Sequence, residues 1–275
     1  GRLHHLRQTL PLLAGFAKAQ CILVDYNCPQ HCGDWAEQNL PGVKVVRITN
    51  EPDFSRARAS NAGVQAADSE WLIFVDADIR MIADLPTWLE QHARPGHFYR
   101  APLRRDNMDM YGTFACRRED FERIGGFDEL IEGWGKEDDD LYCRLRWSGL
   151  NPALFPENFV QPIPHDDALR TQYSPHKDRY VSHLVSSLYV QMKLDVSKLR
   201  PADNTPETRQ GLYNHAQTQF LRYLKRGGGQ DKPQTMELTL VLGPHPGLPP
   251  RNPFWNVQRS MQYIVTPQPR KKQGG

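Results

Sequence analysis

Short apolar runs along the chain alternate with segments whose apolar residues recur at helical spacing. "LHHLRQTLPLLAGFA" (Leu3 to Ala17) has the helical spacing, whereas "CILVDY" (Cys21 to Tyr26) is a compact run that suits a buried strand. "VKVVRI" (Val43 to Ile48) predicts a second strand. "SRARASNAGVQAA" (Ser55 to Ala67) predicts a helix, and "EWLIFVDAD" (Glu70 to Asp78) another buried strand. "TFACRREDFERIGGFDE" (Thr113 to Glu129) predicts a short strand and an amphipathic helix stopped by Gly125-Gly126. A helix is expected over 138–147, with Leu141 and Leu145 on one face, an Asp140–Arg144 pair at i,i+4 and Gly149 ending it. Strands alternating with helices at this spacing imply βαβ units, hence an α/β fold with a mostly parallel sheet flanked by helices.

Beyond Arg170 the pattern weakens. Residues 178–194 and 206–225 predict helices, "RGGGQDKPQ" a flexible joint, and the Pro-rich "PHPGLPPRNPFW" and "PQPRKKQGG" partly unstructured chain. The expected division is an α/β domain over 1–170 and a helical, irregular extension with a Pro-rich tail over 171–275. No internal repeat is present.

Composition narrows the function classes. The 275 residues are 39% hydrophobic and 24% charged, enough for a large core, and the net charge of +2 gives no general argument for nucleic acid. No apolar run approaches the roughly 20 residues that span a bilayer, and the N-terminus does not read as a signal peptide. The expectation is a cytoplasmic protein with no transmembrane segment, meeting any membrane-bound acceptor by peripheral contact at the inner face. Of five cysteines, Cys21, Cys116 and Cys143 sit in apolar or periodic segments as packed thiols. "CPQHC" (Cys28 to Cys32, with His31) invites a zinc reading, but no second ligand pair follows at suitable spacing, so packed thiols are preferred there too.

Ligands of open parallel sheets collect at the carboxyl ends of the strands, where Asp25, Asp76 and Asp78 lie. In extended chain, residues at i and i+2 project to the same side, so Asp76 and Asp78 would share a crevice and could hold Mg²⁺ or Mn²⁺ beside substrate phosphates. A turn-forming Asp and a helix N-cap explain the same pair equally well. "GWGKEDDDLYCRLR" is more specific, because it sets four acids, Glu137 to Asp140, behind Gly133-Trp134-Gly135. Acids in a helix's first turn gain about 0.3–1 kcal/mol each from the macrodipole, which explains one or two of them. A functional account gives one carboxylate the part of general base and another that of hydroxyl acceptor, with Trp134 offering a flat face to a sugar ring. His165, after a Pro-rich extended stretch, is either structural or a further metal ligand.

Taken in order, "LIFVDAD", "GTFACRREDFERIGGFDE" and "EGWGKEDDDLYCRLRWSG" resemble the nucleotide-sugar glycosyltransferases of the GT-A fold. The resemblance is to bacterial family-two enzymes with a galactosyltransferase-type C-terminal motif, similar to β-1,4-galactosyltransferases and chondroitin-type polymerases, and it covers roughly residues 2–168. It implies that Asp25 contacts the nucleotide base and that Arg56 or Arg58 lies near the nucleotide. Asp76 would meet the ribose or the metal, and Asp78 and His165 would hold a Mn²⁺ (or Mg²⁺) ion at the donor diphosphate. Gly133 and Trp134 would line the sugars, with Asp139 toward the acceptor; Glu137 would bind sugar hydroxyls and Asp138 would be the base. The implied reaction is metal-dependent, inverting transfer from a UDP-type sugar donor to a hydroxyl of a glycan or lipid-linked acceptor, as in polysaccharide biosynthesis.

The chain departs from that pattern in two places. It begins with what looks like the helix after the family's opening Pro-x-x-Asn-Arg strand, and Lys136 stands where Gly is common. A retaining N-acetylgalactosaminyltransferase-like enzyme is a second reading, disfavoured because an Asn follows the Glu of that motif. A degenerate carbohydrate-binding or nucleotide-binding module using Ca²⁺ is a third, opposed by the intact Asp-x-Asp and Glu-Asp pairs. A metal-dependent phosphohydrolase has no support in the motif order.

Overall fold

The computed structural model describes residues 1–102, 109–165, 172, 173, 175, 177–228, 235–243 and 259–266. Its first apolar runs form a βαβ unit. Helix α1 (Leu3–Ala14) places Leu6 and Leu10 in one core with Leu23 of β1 (Ile22–Tyr26) and Ala36 of α2 (Cys32–Asn39). Strand β2 (Lys44–Ile48) then pairs parallel to β1, with Asp25 opposite Arg47. Helix α3 (Arg56–Ala66) starts at Ser55, whose hydroxyl accepts the Arg58 N–H as an N-cap.

The strand expected to run to Asp78 ends four residues earlier, as β3 (Trp71–Phe74). Past Phe74 the chain turns: the Ile79 N–H donates to the Asp76 carbonyl at 3.0 Å, and β4 (Ile79–Met81) leaves to pair with β8 (Val160–Pro162). Helix α4 (Leu85–His92), capped by Asp84, leads to β5 (His97–Arg100). Strand β6 (Phe114–Arg117) is followed by α5 (Arg118–Arg123), α6 (Glu137–Trp147) and β7 (Asn151–Leu154).

These strands make a sheet in the order β3-β6-β5-β7. The expected parallel pairing occurs between β1 and β2 and between β5 and β7, while β6 runs antiparallel to both its neighbours. Antiparallel neighbours need no helical crossover, and no helix separates β5 from β6 among the described residues. The sheet is buried on both faces. Phe114 and Cys116 of β6 join Phe98, Leu141, Tyr142 and Leu145 on one side, while Ala115 joins Tyr99, Ile79 and Leu85 on the other. This two-residue alternation brings α6 against the sheet.

The chain divides into two units, Gly1–Lys177 and Asp178–Gly275. The second contains α7 (Arg179–Leu199) and α8 (Pro206–Lys225), close to the helices expected at 178–194 and 206–225. It also contains an antiparallel strand pair, β9 (Met236–Gly243) and β10 (Arg259–Val265), where only helix and irregular chain were expected. The Pro-rich segments 244–255 and 267–275, and most of the expected joint, lie outside the described residues. Among the described residues no helix is long and apolar enough to cross a membrane.

Candidate active site

Successive residues of an α-helix point about 100° apart, so four neighbouring acids cannot all face one place. At the start of α6 they separate. Asp138 Oδ1 lies 2.6 Å from Nη1 of Arg56, and Glu137 Oε1 lies 3.8 Å from the same nitrogen. Asp139 accepts from the Tyr111 hydroxyl at 2.5 Å and from Lys136 Nζ at 2.9 Å. Asp140, 0% exposed, turns inward and is gripped by Arg144 through Nε at 2.9 Å and Nη2 at 2.6 Å. Lys136, where a Gly is common in the resembled motif, is the N-cap and has φ of 80°, a left-handed conformation that glycine adopts more easily.

Arg56 opens α3 and joins the pieces. Its Nε donates to Asp76 Oδ1 at 2.9 Å, Nη1 to Asp138, and Nη2 to the Gly112 carbonyl at 2.9 Å. The guanidinium stands over the Phe127 ring, 5.4 Å from its centroid. A side chain at 112 would displace this arrangement, because a Cβ there would lie 2.5 Å from Arg56 Nη2 and 2.6 Å from Asp76 Oδ2. One guanidinium thus faces three carboxylates, which leaves the cluster negative. Burial pushes the Glu137 carboxyl up to about 7, with the Asp138 charge adding and Arg56 opposing. Asp138 is raised by burial as well, against the pull of Arg56. Glu137 Oε2 is buried with no hydrogen-bond partner among the described residues. An acceptor atom in that position suits a donor hydroxyl brought by a ligand.

Two residues along from Asp76, Asp78 has different company. Its Oδ2 lies 2.5 Å from His165 Nε2 and 3.8 Å from Arg2 Nη1. Strand β8 carries His165 back to this point: it pairs with β4, and the Ile163 N–H bonds the Asp78 carbonyl at 2.8 Å. A carboxylate oxygen and an imidazole nitrogen converging this way fit Mn²⁺ or Mg²⁺. Among the described residues no group of three or more His, Cys, Asp or Glu is arranged around a metal position, so a cation here would need phosphate or water oxygens as well.

The other expected residues have partners or places of their own. Asp25, near the end of β1, accepts the N–H groups of Cys28 at 3.0 Å and Gly33 at 2.8 Å. Arg58 points to Glu51 at 3.2 Å, Glu132 at 3.5 Å and Glu129 at 3.8 Å, and interacts with Tyr26 at the end of β1. Gly133 and Trp134 occupy the bend just before α6, both half-buried.

Set beside known proteins, the arrangement has clear relatives. Residues 4–124 match the model of glycosyl transferase family 2, and residues 97–166 match that of the N-terminal domain of galactosyltransferase. S. aureus TarS, solved in complex with UDP-GlcNAc, superposes with a TM-score of 0.53 at 13% identity, over 84% of this chain and 72% of that one. Residues 4–166 carry a glycosyltransferase domain with the GT-A fold. Among curated relatives of this glycosyltransferase domain, Bos taurus beta-1,4-galactosyltransferase 1 is 30% identical over 125 residues, 40% of this chain and 29% of that protein. Homo sapiens beta-1,4-galactosyltransferase 3 is 26% identical over 187 residues, 64% of this chain and 43% of that protein. The chain therefore matches less than half the length of either.

Some residues of the candidate site were not singled out in the sequence. Tyr111, Gly112, Phe127 and Arg2 touch Arg56, Asp139 or Asp78 from other elements. The one local signal is the small residue in "MYGTF" directly before β6, where the backbone passes the guanidinium.

Proposed function

We propose that this domain is a metal-dependent, inverting glycosyltransferase that moves a sugar from a UDP-type donor to a hydroxyl of a glycan or lipid-linked acceptor. The observation that carries the reading is the buried Glu137–Asp138 pair gathered with Asp76 around Arg56. Asp138 acts as the base: its carboxylate takes the proton of the acceptor hydroxyl as that oxygen bonds to the anomeric carbon. The bond from that carbon to the diphosphate oxygen breaks in the same displacement, so no protein nucleophile is needed and configuration inverts. Arg56 opposes the rise that burial imposes on Asp138 and aims its carboxyl, and Glu137 Oε2 receives a sugar hydroxyl. Trp134 supplies an apolar face for the sugar ring, and Asp139 a further hydroxyl acceptor.

The charge balance argues for a cation at the donor. A diphosphate approaching three carboxylates and one guanidinium is repelled, and Asp76 and Asp78 are at most about 7 Å apart along the chain. When bound, a Mn²⁺ or Mg²⁺ ion supplies positive charge to the departing diphosphate. Asp78 and His165 would hold it, Asp76 would face the ribose or the ion, and Asp25 with Arg58 would meet the base end of the nucleotide.

Incubation with Mn²⁺ and a panel of nucleotide sugars tests the proposal. Nucleotide release should occur with one donor class and stop when a chelator is added. Release that is indifferent to the chelator would remove the metal from the reading, and no release with any donor, with acceptors present, would overturn it.

A further inference from the structure

The loop after β1 holds a feature that sugar transfer does not use. Asn27 and His31 both have positive φ, 45° and 50°, and these two left-handed residues turn "NCPQHC" tightly enough to bring the Cys28 and Cys32 sulfurs 3.0 Å apart. Cys32 is the first residue of α2 and is 3% exposed, whereas Cys28 lies in the loop and is partly exposed. One thiol can therefore meet a reagent from solvent while the other waits behind it. The backbone N–H groups of Gln30 and Cys32 also face the Cys28 sulfur, a setting that favours negative charge.

We propose that Cys28 and Cys32 are a redox-active dithiol that closes reversibly to a disulfide by exchange with small-molecule disulfides. The Cys28 thiolate attacks one sulfur of the oxidant, forming a mixed disulfide and releasing one thiolate. Cys32 gives its proton to solvent and attacks the Cys28 sulfur, which forms the internal bond and releases the second thiolate. Two protein thiols are oxidised and one external disulfide is reduced to two thiols. Closing moves the sulfurs from 3.0 Å to a bonded distance of about 2.05 Å, a step within reach of side-chain rotation. The other cysteines are set against this chemistry. Burial pushes Cys21 up to about 11, raises Cys143 and raises fully buried Cys116, while the hydrogen bond with Cys32 draws Cys28 down to about 5. The bond would also fasten the loop whose Cys28 and Gly33 N–H groups hold the Asp25 carboxylate. None of this depends on the transferase reading.

The test uses the wild-type chain, folded, in buffers of graded oxidised and reduced glutathione, quenched with an alkylating reagent and mapped by peptide mass spectrometry. The expected product is an internal Cys28–Cys32 disulfide, reversed by reduced glutathione, with Cys116 and Cys143 still alkylated after denaturation. Cys32→Ser should stop the reaction at a stable glutathione adduct on Cys28, and Cys28→Ser should slow thiol loss by roughly tenfold or more, since an ordinary thiol is only slightly ionised at neutral pH. The proposal is overturned if both thiols of the wild-type protein remain alkylatable in oxidised glutathione. It also fails if the Cys28 adduct accumulates without closing, or if the pair is purified holding a zinc ion that a chelator releases.

Discussion

At Glu137 the fold holds a carboxyl where charge is disfavoured: its side chain is 11% exposed, and its ordinary value near 4.5 is lifted to about 7. The unfolded chain loses this proton near 4.5 while the folded protein keeps it until about 7, so between those values the folded state binds more protons. Its stabilising contribution is complete below the lower value and lost as pH rises through the upper one. The shift corresponds to an upper limit of about 3 kcal/mol at 1.36 kcal/mol per unit, shared with Asp138 because the two acids titrate together. Glu137→Gln should flatten this part of the stability profile in metal-free buffer. Urea midpoints at pH 5 and pH 8 measure it, and a variant that kept the wild-type slope would place the proton elsewhere. Asp138→Asn addresses the chemistry itself. It keeps size and hydrogen bonding but removes the proton acceptor, and Arg56 retains Asp76 and the Gly112 carbonyl. Turnover should fall by roughly 10²–10⁴-fold with UDP binding by calorimetry preserved. Asp139→Asn, at a side chain 42% exposed, should cost less. Wild-type transfer by the Asp138 variant would move the base to another acid of the run.

Helix α6 presents the site acids, and Asp140 fixes it in place. Arg144 binds Asp140 and also donates at 2.8 Å to the carbonyls of Ile124 and Gly126, tying the helix to the end of α5 and the turn after it. Asp140→Asn leaves the Arg144 charge, 14% exposed, without its counterion. Removing one partner of a buried pair costs on the order of 3–5 kcal/mol, and chemical denaturation should show most of that. An unchanged midpoint would mean that the apolar face of Leu141 and Leu145 holds the helix unaided. Asp140–Arg144 was legible in the sequence because both residues sit on one helix at i,i+4 spacing. The Arg56–Asp138 and Asp78–His165 contacts join residues 82 and 87 positions apart, a separation that no local pattern encodes. His165 entered as a metal ligand through family resemblance, and Arg56 only as one of two candidates near the nucleotide. The early end of β3 was hidden because "EWLIFVDAD" is apolar up to its acids, and the turn depends on one backbone bond from Ile79 to Asp76. β9 alternates legibly, with Met236, Leu238 and Leu242 buried and Glu237, Thr239 and Val241 exposed. Its partner β10 lies beyond a long Pro-rich connection, where the short turn that advertises a hairpin is missing.

Of the molecule's two units, the first, Gly1–Lys177, holds every residue proposed to take part in sugar transfer. The segment just before the boundary belongs to that unit: the Phe54 N–H donates to the Tyr173 carbonyl at 2.7 Å, and Lys177 lies 3.7 Å from Asp53. On the far side, β9 and β10 belong with the helices. The Tyr263 hydroxyl donates to Asp195 of α7 at 2.8 Å, Arg200 donates to the Leu242 carbonyl, and Leu238 and Leu242 are buried. A deletion of 231–275 would therefore strip strands from a unit whose helices remain and remove the Tyr263 and Leu242 partners of Asp195 and Arg200. Ending the chain after Lys177 removes that unit whole. If the second unit serves acceptor recognition or assembly, the 1–177 protein should fold and still hydrolyse the nucleotide sugar in the presence of Mn²⁺, while transfer to the acceptor drops. Circular dichroism establishes folding first, and nucleotide release with and without acceptor then separates the two activities. A folded, soluble 1–177 protein with no hydrolysis would show that the second unit takes part in bond chemistry. Undiminished transfer would show that the acceptor is recognised by the first unit alone.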